Sequence, residues 1–216
     1  MSYIYLKEKL NITPIGEERD MLELEKKQDD EKVFEMKFIV VGGSLTGKSS
    51  FCKRFALNEF ELEIKPSTET ECFFRTIIIF DRVIRIYLII PSKNLKPDEE
   101  KIIYKDINGI IGIYDITQVE SFNEIGKFIN ETKKKINWNE NIPILILGNK
   151  NDLKFLRNIT FTEARKKAEK LGCEIREMNC NEDENLVHYI MKYLIAKVYY
   201  INLNDKEKEE LKEKAK

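Results

Sequence analysis

Residues 37–49 read KFIVVGGSLTGKS. A short apolar run ends in glycine, and helix signals follow from Ser49 to Leu57. Between them GGSLTGKS, Gly42 to Ser49, matches the pattern G-x-x-x-x-G-K-[ST] in the strand-then-helix setting that the pattern requires. Glycines there let backbone N–H groups curl round phosphate oxygens, and the start of the helix adds its partial positive charge. The run Gly42, Gly43, Ser44, Leu45, Thr46, Gly47, Lys48, Ser49 and Ser50 is therefore a phosphate-binding candidate. In it Lys48 would pair with the β and γ phosphates and the Ser49 hydroxyl would ligate Mg²⁺. A plain glycine turn is the competing reading, and the placement between strand and helix disfavours it.

Outward from this loop, apolar strands alternate with helical segments. ECFFRTIIIF (71–80) and VIRIYLII (83–90) read as strands joined in hairpin fashion at Asp81-Arg82, and GIIGIYD, PILILGN and CEIREM follow as further strands. Thr160 and Glu163 have capping-box spacing ahead of a helix over 163–171, and Gly172 stands where a C-terminal cap belongs. Leu186, Ile190, Leu194 and Val198 make one apolar stripe on the last helix, which should pack on the sheet. One early hairpin followed by strand–helix alternation predicts a largely parallel α/β sheet with one antiparallel strand. Residues 1–34 read as a charged extension, either a solvated tail or one whose Tyr3, Ile4, Tyr5 and Leu6 dock back. Residues 201–216 read as a charged, solvated helical end.

At 216 residues, the length suits one domain of ordinary size with appendages. A formal net charge of -1 argues against a nucleic-acid binder that works by neutralising phosphates. Cys52, Cys72, Cys173 and Cys180 have no CxxC spacing and the chain has one histidine, His188, so a zinc site is not expected. Scattered thiols, no signal peptide in MSYIYLKEKL and no apolar stretch of spanning length lead us to expect a cytoplasmic chain. The ending LKEKAK carries no cysteine and residue 2 is Ser, so neither prenyl nor myristoyl attachment is expected by the usual motifs.

The base-reading candidate is Asn149-Lys150-x-Asp152, directly after the run PILILG. A carboxylate at its fourth position can accept hydrogen bonds from guanine N1–H and the exocyclic amine. Adenine lacks that donor pair and would leave a buried acid unpaired. The Lys150 stem can lie along the base, while Asn149 can tie this loop to the phosphate site. NKND alone also suits a turn; the ordered pair of phosphate loop and NKxD carries the signal.

With both motifs in place, the chain resembles a Ras-superfamily small GTPase, and is most similar to the Rab branch. GIIGIYDITQVESF (109–122) resembles the Rab pattern GIIVVYDVTDQESF, and RFA (54–56) and RTI (75–77) fall in register. The resemblance covers about 36–198. It implies a single P-loop G domain over 35–200: a six-stranded, mostly parallel sheet with one antiparallel strand, helices on both faces, and GTP or GDP with Mg²⁺ at the carboxyl ends of the strands. It places Phe60 against the guanine, with a core phenylalanine as the alternative. It places Ser67, with Thr68 beside it, at the first-switch position that reaches Mg²⁺. Asn179, Cys180 and Asn181 take the last base-side loop, where a backbone N–H at Cys180 can serve and a stacking lysine is lost to Asn181.

The departures concentrate in one stretch. In ungapped register the family's Asp-Thr-Ala-Gly-Gln falls on Ile90-Pro91-Ser92-Lys93-Asn94. Ile90 cannot hold a metal-bound water, so metal affinity should fall. Lys93 replaces a glycine that approaches the γ-phosphate, Pro91 stiffens the segment, and Asn94 is shorter than the glutamine that orients attacking water. Asp98, Glu99 or Glu100 folding back is one source of a replacement acid, and Lys93 neutralising phosphate is another. Leu45, where a small residue is usual, adds bulk near the β-phosphate. The expectation is a guanine-nucleotide-binding, monomeric, Rab-like protein of vesicle traffic or signalling, with weak or absent hydrolysis. Effectors or regulators would bind its switch face, and membranes would be reached only through a partner. A switch completed by a partner and a pseudo-GTPase interaction module are the alternatives.

Overall fold

The structure, a computed structural model, describes residues 34–61, 67–79, 82–181, 184–205 and 208. The expected docking of Tyr3–Leu6, the hairpin turn at Asp81 and most of the C-terminal tail lie outside the described residues.

Strand β1 spans Phe34–Val41 and feeds the glycine loop and helix α1, Lys48–Leu57. Strands β2 (Glu71–Ile79) and β3 (Arg82–Ile90) follow, then α2 (Pro97–Ile103), β4 (Gly109–Asp115) and α3 (Val119–Lys135). The chain continues through β5 (Ile144–Asn149), a 3₁₀ turn at Asn151–Leu156, α4 (Phe161–Leu171), β6 (Glu174–Glu177) and α5 (Glu184–Asn202). The six strands form one sheet in the order β2-β3-β1-β4-β5-β6. Only the β2–β3 pair is antiparallel; β1 pairs in parallel with β3 and β4, β4 with β5, and β5 with β6. The expected α/β sheet with one antiparallel strand is therefore the observed one.

Strand alternation builds a core on each face. Met36, Phe38 and Val40 of β1 pack with Phe51 and Phe55 of α1 and with Ile190, Leu194 and Val198 of α5. Ile39 and Val41 point the other way, to Ile103 of α2, Ile125 and Ile129 of α3, and Ala164 and Ala168 of α4. The anticipated stripe of α5 is thus the buried one, with Leu186 partly buried at its start. Leu203, just past α5, is still buried. Lys37 shares the parity of Ile39 and is nonetheless buried. Its ammonium donates to the carbonyl of Lys105, and burial lowers its pKa against the opposing pull of Asp106 and Glu35.

Local signals hold where expected. The backbone N–H of Glu163 donates to Thr160 Oγ1 (3.2 Å) and that of Thr160 to Glu163 Oε2 (2.9 Å), so α4 starts with the reciprocal box, at Phe161. Gly172 closes it in the left-handed region. Phe51 joins α1 to the sheet under the glycine loop and is fully buried. Phe51→Ala should cost about 3–5 kcal/mol of unfolding free energy, measured by urea denaturation.

Candidate functional site

All the parallel strands end on one side of the sheet, and the glycine loop leaves β1 there. Gly42 has φ of 149°, and a Cβ on it would lie 2.1 Å from the Ile113 carbonyl oxygen of β4. Gly47 has φ of 94°, and its Cβ would lie 2.1 Å from Asn149 Nδ2. Both positions therefore exclude any side chain. Leu45 adopts φ of 59°, a left-handed conformation costing roughly 1–2 kcal/mol for a residue with a Cβ. Its side chain stands at the rim of the cleft, 57% exposed. Thr46 turns inward, fully buried, and its hydroxyl donates to Gly43 O (3.1 Å).

The Lys48 ammonium reaches back across the loop and donates to Gly42 O (3.2 Å) and Gly43 O (2.6 Å). Burial lowers its pKa, while the carboxylate of Glu71 opposes that shift. Ser49 Oγ donates to Glu71 Oε1 at 3.0 Å.

The NKND segment meets this loop directly. Asn149 Nδ2 donates to Thr46 O (3.0 Å), the tie expected between the two motifs. Asn149 Oδ1 is buried and has no hydrogen-bond partner. Lys150, left-handed with φ of 66°, places its ammonium 2.7 Å from Asp115 Oδ2. Asp115 is fully buried at the end of β4, and its other oxygen accepts from the Thr117 N–H (2.8 Å) and hydroxyl (2.7 Å). Asp152 sits in the 3₁₀ turn on the cleft wall. Arg157 braces that turn with a two-pronged bond to Glu177 (2.7 and 2.8 Å) and a bond to Asn151 Oδ1 (2.9 Å). The pairing with Glu177 raises the pKa of the guanidinium.

Asn179, Cys180 and Asn181 form the adjoining wall, where the Asn181 N–H donates to Asn179 Oδ1 (2.8 Å). Arg54 of α1 holds this loop, donating to Cys180 O (3.0 Å) and Asn181 O (3.1 Å). Its guanidinium also lies over the Phe60 ring, 5.5 Å from the centroid. Phe60 joins the two readings given for it: it packs on the core and lines the cleft. The Cys180 thiol is buried, which pushes its pKa up to about 12, so its side chain is a neutral filler.

The two switch segments close the opposite side. Ser67, Thr68 and Glu69 line the cleft, and Ser67 Oγ accepts from the Glu69 N–H (3.2 Å). Ile90 is 5% exposed, with its side chain in the α1 core. Pro91, Ser92, Lys93 and Asn94 follow along the cleft, the last two exposed. Ser92 joins the segments: its N–H donates to Thr70 Oγ1 (3.0 Å) and its hydroxyl to Thr68 O (2.7 Å). The fold-back acids go elsewhere. Glu99 Oε2 accepts from the Lys96 N–H (2.8 Å) to cap α2, Glu100 pairs with Lys135, and Asp98 pairs with Lys101. A helix start draws carboxylates to itself, and here it holds them away from the cleft.

One cleft of about 1080 Å³ thus gathers Gly42, Ser44, Leu45, Gly47, Lys48, Ser49 and Ser50 with Phe60, Ser67, Asn149, Lys150, Asp152 and residues 179–181. Gly43 and Thr46 stand behind its wall. The sequence reading missed Arg54, Glu71, Asp115 and Arg157 as parts of the site. Asp115 had a local signal, an acid at the end of a buried strand. The other three act through partners distant in sequence.

The geometry is that of one lineage. The model of the Ras family matches residues 37–199. The Ras-related protein RABA2a of Arabidopsis thaliana is 28% identical over 177 residues, covering 82% of this chain and 80% of that protein. The Ras-related protein YPTC6 of Chlamydomonas reinhardtii is 28% identical over 176 residues, 81% and 80% of the two chains. The GTP-binding protein ypt3 of Schizosaccharomyces pombe is 30% identical over 139 residues, 64% of each. A glycine loop tied to an NKND turn, on this sheet order and with these relatives, means that the chain belongs to the Ras family and is a Rab-like small GTPase.

Proposed function

We propose that this protein binds GTP and GDP in the cleft above β1, β4 and β5, hydrolyses GTP slowly or not at all, and works in vesicle traffic or signalling. The observation that carries the reading is the Asn149–Thr46 bond, which sets the base-side turn against the phosphate loop. Loop N–H groups and Lys48 would hold the phosphates, in place of the carbonyls that the ammonium now grips. Asp152 would accept from guanine, Asn149 Oδ1 would gain a partner, and Phe60 with the 179–181 loop would flank the base. Slow hydrolysis follows from the other side of the cleft, where Asn94 is exposed and shorter than glutamine and Ile90 is committed to the core.

Mg²⁺ accompanies the nucleotide in this reading and neutralises charge between the phosphates. The donor set suits it: Ser49 Oγ has a carboxylate oxygen, Glu71 Oε1, 3.0 Å away, and Ser67 stands on the same cleft. Effectors and regulators would meet the face made by 67–70 and 91–95. Among the described residues no helix is long and apolar enough to cross a membrane; in this reading partners on that face would recruit the protein to endomembranes. The bonds from Ser92 to Thr68 and Thr70 favour a second reading, a fixed interaction face that does not cycle.

Fluorescent GDP and GTP, each with Mg²⁺ and with EDTA, test the proposal. Both nucleotides should bind and Lys48→Ala should abolish binding; no binding in any condition would overturn the reading. Single-turnover GTP decay should fall below the roughly 10⁻⁴ s⁻¹ typical of unassisted small GTPases. Asp152→Asn should weaken guanine nucleotides by about 1–3 kcal/mol, read as a rise in dissociation constant, because a buried donor pair loses its acceptor. Arg54→Ala should raise amide hydrogen exchange across 179–181 and speed nucleotide release, since both carbonyl anchors of that loop disappear.

A further inference from the structure

We propose that Glu71 is the acid of the Mg²⁺ site, supplied from β2 in place of the one missing at the end of β3. The inference rests on the nucleotide reading above and names the group that completes its metal site.

The register makes the substitution possible. Glu71 and Ile90 are direct cross-strand partners in the β2–β3 ladder, so their side chains leave the same face of the sheet. That face is the α1 face: Phe73, two residues along β2, and Ile90 both belong to the core beneath α1. A carboxylate on Glu71 therefore emerges beside the place that an acid at 90 would occupy, on an arm one methylene longer than aspartate's.

The distance fits a metal edge as well as a hydrogen bond. Mg²⁺ holds oxygen ligands at about 2.0–2.1 Å in near-ideal octahedral geometry, so two adjacent ligands lie about 2.9 Å apart. Ser49 Oγ and Glu71 Oε1 are 3.0 Å apart. The Ser49 hydroxyl proton, which now bridges the pair, can turn away while both oxygens stay where they are. Glu71 is half-buried and lines the cleft with Lys48 and Ser67, so no rearrangement of the strand is needed. The nearby acids after β3 do not compete, because Asp98, Glu99 and Glu100 are engaged by α2 and Lys135. Ile90 then costs the site little: the carboxylate has moved across the ladder, and the end of β3 gains an apolar side chain in the core.

The test is release of fluorescent GDP from the full chain, followed across a Mg²⁺ titration and in EDTA. Mg²⁺ should slow release from the wild type, and Glu71→Gln should raise the Mg²⁺ concentration for half effect by about 10- to 100-fold. Ile90→Asp in the Glu71→Gln background should recover most of that loss, which a merely structural role for Glu71 would not allow. Should Glu71→Gln not fold, Glu71→Asp carries the comparison: its shorter arm keeps the charge and should weaken the Mg²⁺ effect by a smaller factor. Unchanged Mg²⁺ dependence in Glu71→Gln would overturn the proposal. So would stronger Mg²⁺ binding in that variant, which would mark the carboxylate as a plug, or a wild type that binds GDP with no response to Mg²⁺. Failure of the wild type to hold nucleotide at all would instead bring down the nucleotide reading itself, and this inference with it.

Discussion

The site depends on one hydrogen bond, from Asn149 Nδ2 to the carbonyl of Thr46. It joins the end of β5 to the loop after β1, across the intervening end of β4. It exists only because residue 47 has no side chain, since a Cβ there would meet the same amide nitrogen. Gly42 is seated against the carbonyl of Ile113, and Lys150 reaches the buried Asp115, so β4 is locked to both neighbours as well. Asn149 and Asp115 are buried, where a polar group without its partner is expensive. Arg54 and Arg157 extend the frame to 179–181 and to the 3₁₀ turn. The half of the cleft that would read phosphate and base is therefore cross-tied at every strand end it uses.

The other half is built differently. At the end of β3 the chain places isoleucine in the core, and full burial of such a side chain favours folding by about 1.5–3 kcal/mol. An aspartate there would oppose folding unless a partner met it. Pro91 and the bonds of Ser92 then hold the following turn against Thr68 and Thr70. The segment is tied to its neighbours and presents Lys93 and Asn94 to the cleft. The phosphate-loop and NKND motifs stand on β1 and β5, with β4 tied between them, while the departures from the family pattern concentrate on β3 and its loop.

What could be read in advance divides along the same physical line. The glycine loop, NKND, the Thr160–Glu163 box and Gly172 are local patterns, and a local pattern survives any tertiary context that leaves its backbone intact. The six-stranded, mostly parallel sheet with one antiparallel strand followed once those motifs were recognised together, but its strand order did not. Glu71 was not legible because its role depends on which residue of β3 it faces, and a slip of one residue would send the carboxylate to the opposite side of the sheet. Asp98, Glu99 and Glu100 are nearer in sequence to residue 90, whereas Glu71 is near it only across the ladder. Arg54 was visible only as a residue in register, since its partners at 180 and 181 are distant in sequence. Phe60 stayed ambiguous because a ring at a cleft edge satisfies the core and the ligand wall at once.

Placing the metal acid on β2 has a consequence for switching. A ligand shifts a conformational equilibrium only through contacts that differ between the two states. An acid at 90, the last residue of β3, would adjoin the loop that follows and couple it to the metal, and through it to the presence of a γ-phosphate. Glu71 opens a strand zippered to β3 from Glu71–Ile90 to Ile79–Arg82, so a metal held there reports little to residues 91–95. Within the two switch segments, the groups that would sense a γ-phosphate are Ser67 and Thr68 on one side and the exposed Lys93 on the other, joined through Ser92. Because Ser92 bonds to Thr68 O and Thr70 Oγ1, any movement of the first segment must either carry the second with it or break those bonds. A switch built on these contacts would start at 67–70 and pass to 91–95, with the proposed metal site as a fixed anchor between them.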